Sequence, residues 1–408
     1  MKLLILCNYF KPDLSAGSFR MQALVQALAA WRNRGLWVDV ITTLPNRYRS
    51  LKLHAPVFED DGWLRIHRIE LPAHNNGMID QARAYMSYAR GVHEIVRNNH
   101  WDLVFATSSR LMTAALGAYI SHSKNIPLYL DIRDLFAENM EELLAGKPQR
   151  LLTPALRRIE RMSFSKATKI NVVSEGFVND IRDLSPDSEI SVFTNGIDEL
   201  FLDTDFFAEP FGRNHRKPEP DEELPLVVYA GNMGEGQGLH RVIPDLARRL
   251  ENKARFRLIG DGGRKVALES ALASAGVSNV ELHSPVPREE LLEHYRQADI
   301  LFLHLNKLNS FKKVLPSKIF EYAATGKPIV AGVSGYAADF LRSEVADAAV
   351  HEPLDTASLA SAIVSFAGCQ EGSSREGFRS KFARSAIMAN MASDVIGVLK
   401  AAKDAPVR

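Results

Sequence analysis

The chain has 408 residues, 46% hydrophobic and 24% charged, with a formal net charge of +1. That length exceeds one ordinary core and fits two domains of about 200 residues each, and the balanced charge argues against a chain-wide nucleic-acid binder. Average apolar and charged content excludes a disordered or fibrous chain. The two cysteines, Cys7 and Cys369, supply neither a disulfide framework nor an unaided zinc site.

In chain order, the first predicted element is a short buried strand ending at Cys7. Its apolar run of five residues, Leu3 to Cys7, stops at Asn8, Lys11 and Pro12. It falls short of the roughly 7–15 apolar residues of a secretory leader, and no run approaches the roughly 20 of a membrane span. The expected location is therefore the cytoplasm. A loop over 8–18 with Pro12 and Gly17 leads into a helix that runs to about Arg34 and closes at Gly35. Strands are predicted at 37–42 (WVDVIT), 102–106 (DLVFA), 127–131 (PLYLD) and 169–173 (KINVV), with a long helix over 79–98 and further helices between. Strands alternating with helices indicate a doubly wound parallel sheet.

The pattern breaks at 203–225, which holds Pro210, Pro218, Pro220 and Pro225 among many charges and shows no periodicity; this is the predicted linker. A second α/β series follows, with strands at 226–230, 255–259, 280–282, 300–303 and 329–331. Its helices are predicted at 239–251, 264–275 and 318–325. The tail over 377–403 is helical, with Phe378, Phe382, Ile387, Met391, Val395 and Leu399 as an apolar stripe. The fold class expected is α/β, two Rossmann-like domains facing across a cleft: an N-terminal domain over 1–202 and a C-terminal domain over 226–376.

In such sheets ligands bind beyond the carboxyl ends of the strands. Four post-strand segments carry candidate chemistry. Gly17, ahead of a helix, would let a backbone approach an anion, or is a plain loop glycine. The stretch 229–238 holds Gly231, Asn232 and Gln237 among four glycines, whose amides suit a phosphate; the alternative is a flexible connection. Gly260, Asp261 and Gly262 could bracket a nucleobase or ribose, or form a tight turn. In 315–331, Pro316 and Ser317 open a helix that Gly326 and Pro328 close. Lys318 in its first turn opposes the helix dipole unless an anion binds there. Glu321, one turn on, could accept hydrogen bonds from ribose hydroxyls; the alternative makes both solvated helix residues. No metal-ligating pair stands at a strand end, so no metal is expected.

The last three segments, in that order and spacing, resemble the C-terminal domain of GT-B-fold glycosyltransferases of family 4, above all in Pro316-Ser317-Lys318 through Phe320-Glu321-Tyr322 to Gly326-Lys327-Pro328-Ile329-Val330-Ala331. The Pro12–Gly17 loop, Val173-Ser174-Glu175 and Asn195-Gly196-Ile197-Asp198 resemble that family's N-terminal signatures. Asp131-Ile132-Arg133-Asp134-Leu135-Phe136 is similar to a segment of the branch that builds bacterial surface polysaccharides. The resemblance implies a retaining, metal-independent hexosyl- or N-acetylaminosugar transferase. Its substrates would be a UDP- or GDP-linked donor, with no further cofactor, and a glycan or prenyl-diphosphate-linked acceptor.

It assigns the donor to Gly17, Gly231, Asn232, Gln237, Gly260, Asp261, Gly262, Ser317, Lys318 and Glu321, mainly on the C-terminal domain. The acceptor falls to the N-terminal domain, to which the last helix returns. Asp134, oriented by Arg133, and Glu321 are the catalytic candidates; a buried Arg–Asp pair holding the loop is the alternative for the first two. The chain departs from the family where a Glu eight residues before Glu321 is replaced by Lys313. It departs again where a diphosphate-neutralising Arg and Lys would fall near Asn232 and Gln237. Lys318 is therefore assigned that charge. The helix over 151–169 sets Arg157, Arg158 and Arg161 beside Leu152, Leu156, Ile159 and Met162, and so either touches lipid headgroups at the inner face of the cytoplasmic membrane or packs as an ordinary basic helix. A GT-B nucleotide-sugar epimerase and a non-catalytic sugar-nucleotide-binding subunit are the competing readings.

Overall fold

The computed structural model describes residues 1–46, 53–72, 78–108, 110–143, 151–202, 224–367 and 375–404. Cys369 and nearly all of the expected linker, 203–225, lie outside them. The chain forms two compact units, one of Met1–Asn195 with Arg384–Arg408, the other of Gly196–Ala383.

The first unit is built on eight strands: β1 (Lys2–Leu6), β2 (Trp37–Thr43), β3 (Phe58–Asp60), β4 (Leu64–Ile69), β5 (Leu103–Thr107), β6 (Leu128–Ile132), β7 (Lys169–Val172) and β8 (Glu189–Val192). Their order is β3-β4-β2-β1-β5-β6-β7-β8, parallel except for the β3–β4 hairpin. Every residue of β5 and β6 is buried, which is why both read as unbroken apolar runs covered on two faces. The order turns back between β1 and β5, and the loops that follow these strands gather there.

The second unit has β9 (Leu226–Asn232), β10 (Arg255–Asp261), β11 (Val280–His283), β12 (Ile300–His304), β13 (Ile329–Gly332) and β14 (Ala348–His351). All pair in parallel, in the order β11-β10-β9-β12-β13-β14, with the turn-back between β9 and β12.

Two boundaries differ from the expectation. The first domain was expected to run to 202, but residues from Gly196 group with the second unit. There the Ile197 amide donates to the Phe382 carbonyl (2.7 Å) and Asp198 pairs with Arg288 (2.8 Å). The tail is not one helix over 377–403 but two, Glu376–Lys381 and Arg384–Asp404. The break falls where Ala383 forms a strand-like bridge with Ile197, a geometry that a helix cannot satisfy. The predicted stripe is shared accordingly. Phe378 and Phe382 pack with Phe320 and Phe340, while Met391, Val395 and Leu399 are buried in the core of the first unit.

Candidate functional site

In the second unit Gly231 and Gly260 are strand residues rather than parts of open turns. The β9–β10 ladder continues through Gly231 opposite Gly260 and Asn232 opposite Asp261. A Cβ on Gly260 would lie 1.9 Å from the Gly231 carbonyl oxygen, and one on Gly262 2.6 Å from the Met233 backbone. Close strand packing therefore demands these two glycines before any ligand does. Asp261 is turned onto its own turn, its Oδ1 accepting from the Gly262 amide at 2.8 Å.

The segment from Gly231 to Gly238 is held at many points, which overturns the flexible-connection reading. Asn232 Nδ2 donates to Gln237 Oε1 (2.8 Å), which also accepts from the Gly234 amide (3.2 Å). The Tyr229 hydroxyl donates to the Asn232 carbonyl (2.6 Å), and the Asn306 amide to that of Gly236 (2.8 Å). Buried His304, at the end of β12, bonds the Gln237 carbonyl through Nδ1 (2.7 Å) and the Leu354 amide through Nε2 (3.1 Å). A carbonyl only accepts and an amide only donates, so these partners set a neutral imidazole with its proton on Nδ1. Burial, reinforced by Arg241 and opposed by the Gln237 carbonyl, pushes the His304 pKa down to about 4. Sequence reading did not single out His304, because one polar residue closing an apolar strand is not distinctive.

The helix Lys318–Ala324 begins after Pro316 and Ser317 and buries Ile319, Phe320, Tyr322, Ala323 and Ala324. Ser317 occupies the N-cap position in helical backbone geometry and makes no side-chain cap bond, contrary to its expected capping role. Lys318 Nζ donates to Glu321 Oε2 (2.7 Å) and to the Tyr295 hydroxyl (3.3 Å). Its stem passes over Gly231, where a Cβ would stand 3.6 Å from Lys318 Cε. Burial alone would lower the Lys318 pKa, but the Glu321 carboxylate outweighs it and the net shift is upward. The Tyr322 hydroxyl accepts from the Ala230 amide (3.0 Å), which seats the helix against the end of β9. Gly231, Lys318 and Glu321 are thus brought together with Tyr295, a residue the sequence did not nominate. Lys313 ends the short 3-10 turn Ser310–Lys313 that precedes this helix.

In the first unit, Gly17 lies inside the helix Ala16–Leu28, whose N-cap is Ser15, rather than in the loop before it. Arg133 Nη1 reaches the Ala16 carbonyl (3.3 Å) and lies close over Gly17. Burial, with Arg20 and Arg384 adding to it and Asp131 opposing, lowers the Arg133 pKa to about 10. The buried Arg–Asp pair of this region is Arg20 with Asp131. Two bonds of 2.9 Å join them, and Asn171 Nδ2 donates to the same carboxylate (2.7 Å). Asp134, beyond the end of β6, is exposed instead.

Two doubly wound parallel-sheet units, with polar residues gathered at the carboxyl ends of their strands, are the architecture of the GT-B fold. The family described as glycosyl transferases group 1 matches residues 211–381, and the glycosyl transferase 4-like domain matches residues 21–196. The chain belongs to this GT-B, family 4-like group of glycosyltransferases. Over 117 residues it is 30% identical to the colanic acid biosynthesis glycosyl transferase WcaI of Escherichia coli (strain K12), a match covering 29% of this chain and 28% of that relative. Its fold is similar to sucrose-phosphate synthase from Thermosynechococcus elongatus, with a TM-score of 0.74 and 15% identity over 98% of this chain and 100% of that one. It is also similar to WaaG, a glycosyltransferase involved in lipopolysaccharide biosynthesis (TM-score 0.63, 16% identity, 98% of each chain). HepE from Anabaena, solved with UDP-glucose, matches at a TM-score of 0.59 and 16% identity over 99% of this chain and 98% of that one.

Proposed function

We propose that the chain transfers a sugar from a UDP- or GDP-linked donor, with retention and without a metal ion, to a lipid-linked or polysaccharide-precursor acceptor. The observation that carries this reading is the convergence of Lys318, Glu321 and Gly231 at the carboxyl end of β9. Lys318 is a charged ammonium at the first turn of a helix, where its field and the dipole repel; a diphosphate there turns both into attraction. Its bond to Glu321 holds it over the Gly231 backbone until the donor arrives. Glu321 then accepts from the ribose hydroxyls. As the leaving diphosphate gains charge in the transition state, the fixed ammonium stabilises it without reorganisation. Same-face attack by the acceptor hydroxyl needs positioning rather than an enzyme nucleophile, and Asp134 beside Arg133 is the group assigned to orient a sugar hydroxyl.

The lipid-linked acceptor is supported by the helix Thr153–Phe164. Arg158, Arg161 and Met162 are exposed on it, next to exposed Leu151 and Leu152, while its one acid, Glu160, is buried. Leu156 and Ile159 are partly buried. An exposed apolar edge flanked by arginines matches an anionic lipid surface. Among the described residues no helix is long and apolar enough to cross a membrane, so the contact proposed is peripheral.

Labelled UDP- and GDP-sugars, incubated with and without a prenyl-diphosphate-linked sugar, test the reaction. Nucleotide release that depends on acceptor is expected. An isomerised donor would instead identify an epimerase, and tight binding without turnover a non-catalytic subunit; either outcome overturns the transferase reading.

A further inference from the structure

The helix carrying Lys318 and Glu321 has only seven residues, and its first turn bears a cation against the dipole. Fewer than two turns do not hold their own orientation in water. The opposite end of this helix is where the fold secures it. Arg375, 4% exposed, donates from Nη1 to the Ala323 carbonyl (3.3 Å) and from Nη2 to those of Lys327 (3.0 Å) and Ala346 (2.6 Å). Arg379 Nη1 donates to the Ala324 carbonyl at 3.0 Å. Lys327, 5% exposed, donates from Nζ to the carbonyls of Arg296 (2.8 Å) and Ala298. Those two carbonyls close the helix Arg288–Gln297, which carries Tyr295. Three cations therefore stand at the carbonyl ends of the two helices whose Tyr295, Lys318 and Glu321 meet.

Cations at helix C-termini are what the dipole favours, and the rigid fork of Arg375 spans three separate backbone segments at once. The arrangement is costly for mere packing. Burial drives the Arg375 pKa down to about 10 and that of Lys327 to about 8, with Asp347 and Asp299 opposing and Arg379 and Arg296 adding to the fall. Apolar side chains of similar volume would avoid that cost but would leave these helix-end carbonyls without donors. What the cations add is direction: each ties a helix end to a fixed backbone position.

We propose that Arg375 and Lys327 are positioning residues for the donor. They hold the helices Lys318–Ala324 and Arg288–Gln297 so that Lys318 and Glu321 are presented in one geometry to the diphosphate and ribose. This rests on the donor role proposed above for Lys318 and Glu321.

The test compares Arg375→Gln, Arg375→Lys and Lys318→Ala in the full chain by calorimetric titration with UDP and GDP. Steady-state KM and kcat are measured alongside, at a temperature where circular dichroism shows each variant folded. Arg375→Gln is expected to weaken nucleotide binding about 10-fold and to raise the donor KM more than it lowers kcat. Arg375→Lys, which keeps the charge but loses the fork, should recover part of that loss. Tyr88→Phe, which removes buried hydrogen bonds of the first unit, should lower the melting temperature but leave the affinity unchanged. A folded Arg375→Gln with affinity within about twofold of wild type overturns the inference. So does an equal loss in Tyr88→Phe, since general destabilisation would then explain both. Should Arg375→Gln not fold, Lys327→Gln carries the test: a loss of nucleotide affinity in the same direction supports the inference and unchanged affinity overturns it. Lys318→Ala separates the two levels. If it binds nucleotide normally, the donor reading itself fails; if it alone loses affinity, only the positioning role fails.

Discussion

Lys318 keeps its proton because the Glu321 carboxylate, 2.7 Å away, outweighs the cost of burial. A charge maintained in this way is available to an anion and is also the partner of Glu321, so removing it takes a contact from each. Lys318→Ala should weaken UDP or GDP binding by about 10–100-fold, the range of one charge-assisted hydrogen bond in a partly buried site. Titration calorimetry reads this directly, and unaltered affinity would refute the assignment. His304 has the opposite economy, since its bonds to Gln237 and Leu354 require the neutral ring. Its folded pKa of about 4 lies below the unfolded value of 6.5. As pH falls between these values, the unfolded chain takes up a proton that the native chain refuses, so this stabilisation is present above pH 6.5 and lost towards pH 4. The stability gap between wild type and His304→Asn should shrink by about 2–3 kcal/mol from pH 7 to pH 4 in urea titrations. A gap that stays constant would remove His304 as the pH-sensitive anchor of the glycine segment.

At the level of elements, Glu160 works across two helices. It is buried on Thr153–Phe164 and accepts from the Ala137 amide (3.3 Å) in the first turn of Phe136–Leu143, just beyond Asp134. Burial pushes its pKa up to about 7, with the backbone amides of Ala137 and Phe136 opposing. This is an acid whose folded pKa is raised, so the native state holds the extra proton and loses stability as pH rises from about 4.5 through 7. Glu160→Gln should therefore gain about 2–3 kcal/mol relative to wild type between pH 5 and pH 8, a trend opposite in sign to that of His304. Equal pH profiles for the two proteins would rule this out.

Such contacts explain how far the sequence could be read. The alternation of apolar runs and helices revealed both sheets, and the order of the glycine and Pro-Ser-Lys segments revealed the family. Glycine read as the end of a strand could not reveal that β9 and β10 pair on through Gly231 and Gly260, because that depends on a partner strand. The strands β3, β4, β8 and β14 were missed: β3, β8 and β14 are short sheet edges that bury little, and β4 (LRIHRI) interleaves apolar residues with arginine and histidine instead of forming an apolar run. Arg20 with Asp131 and Glu160 with Ala137 join positions far apart in sequence. No local pattern announces them, whereas Arg133 and Asp134 are adjacent in sequence but are not the buried pair.

Across the whole molecule, Arg20 binds most of the first unit together. Beyond its double bond to Asp131 on β6, it donates to the carbonyls of Phe193 (2.9 Å) and Thr194 (2.6 Å) and touches the Met391 sulfur on the returning helix Arg384–Asp404. The chain leaves this unit and comes back to it, and one guanidinium contacts the point of departure and the returning helix. Arg20→Met would leave the Asp131 carboxylate buried with Asn171 as its remaining side-chain donor among the contacts described. Breaking a buried pair from one side costs about 3–5 kcal/mol, whereas Arg20→Met combined with Asp131→Asn should cost less than the single change because no charge is stranded. Hydrogen exchange locates the effect. In Arg20→Met the amides of β6 and of Arg384–Asp404 should lose protection, while those of β9 and β10, in the other unit, keep theirs. A double variant that is no more stable than Arg20→Met would show that the pair's geometry, rather than a stranded carboxylate, sets the cost.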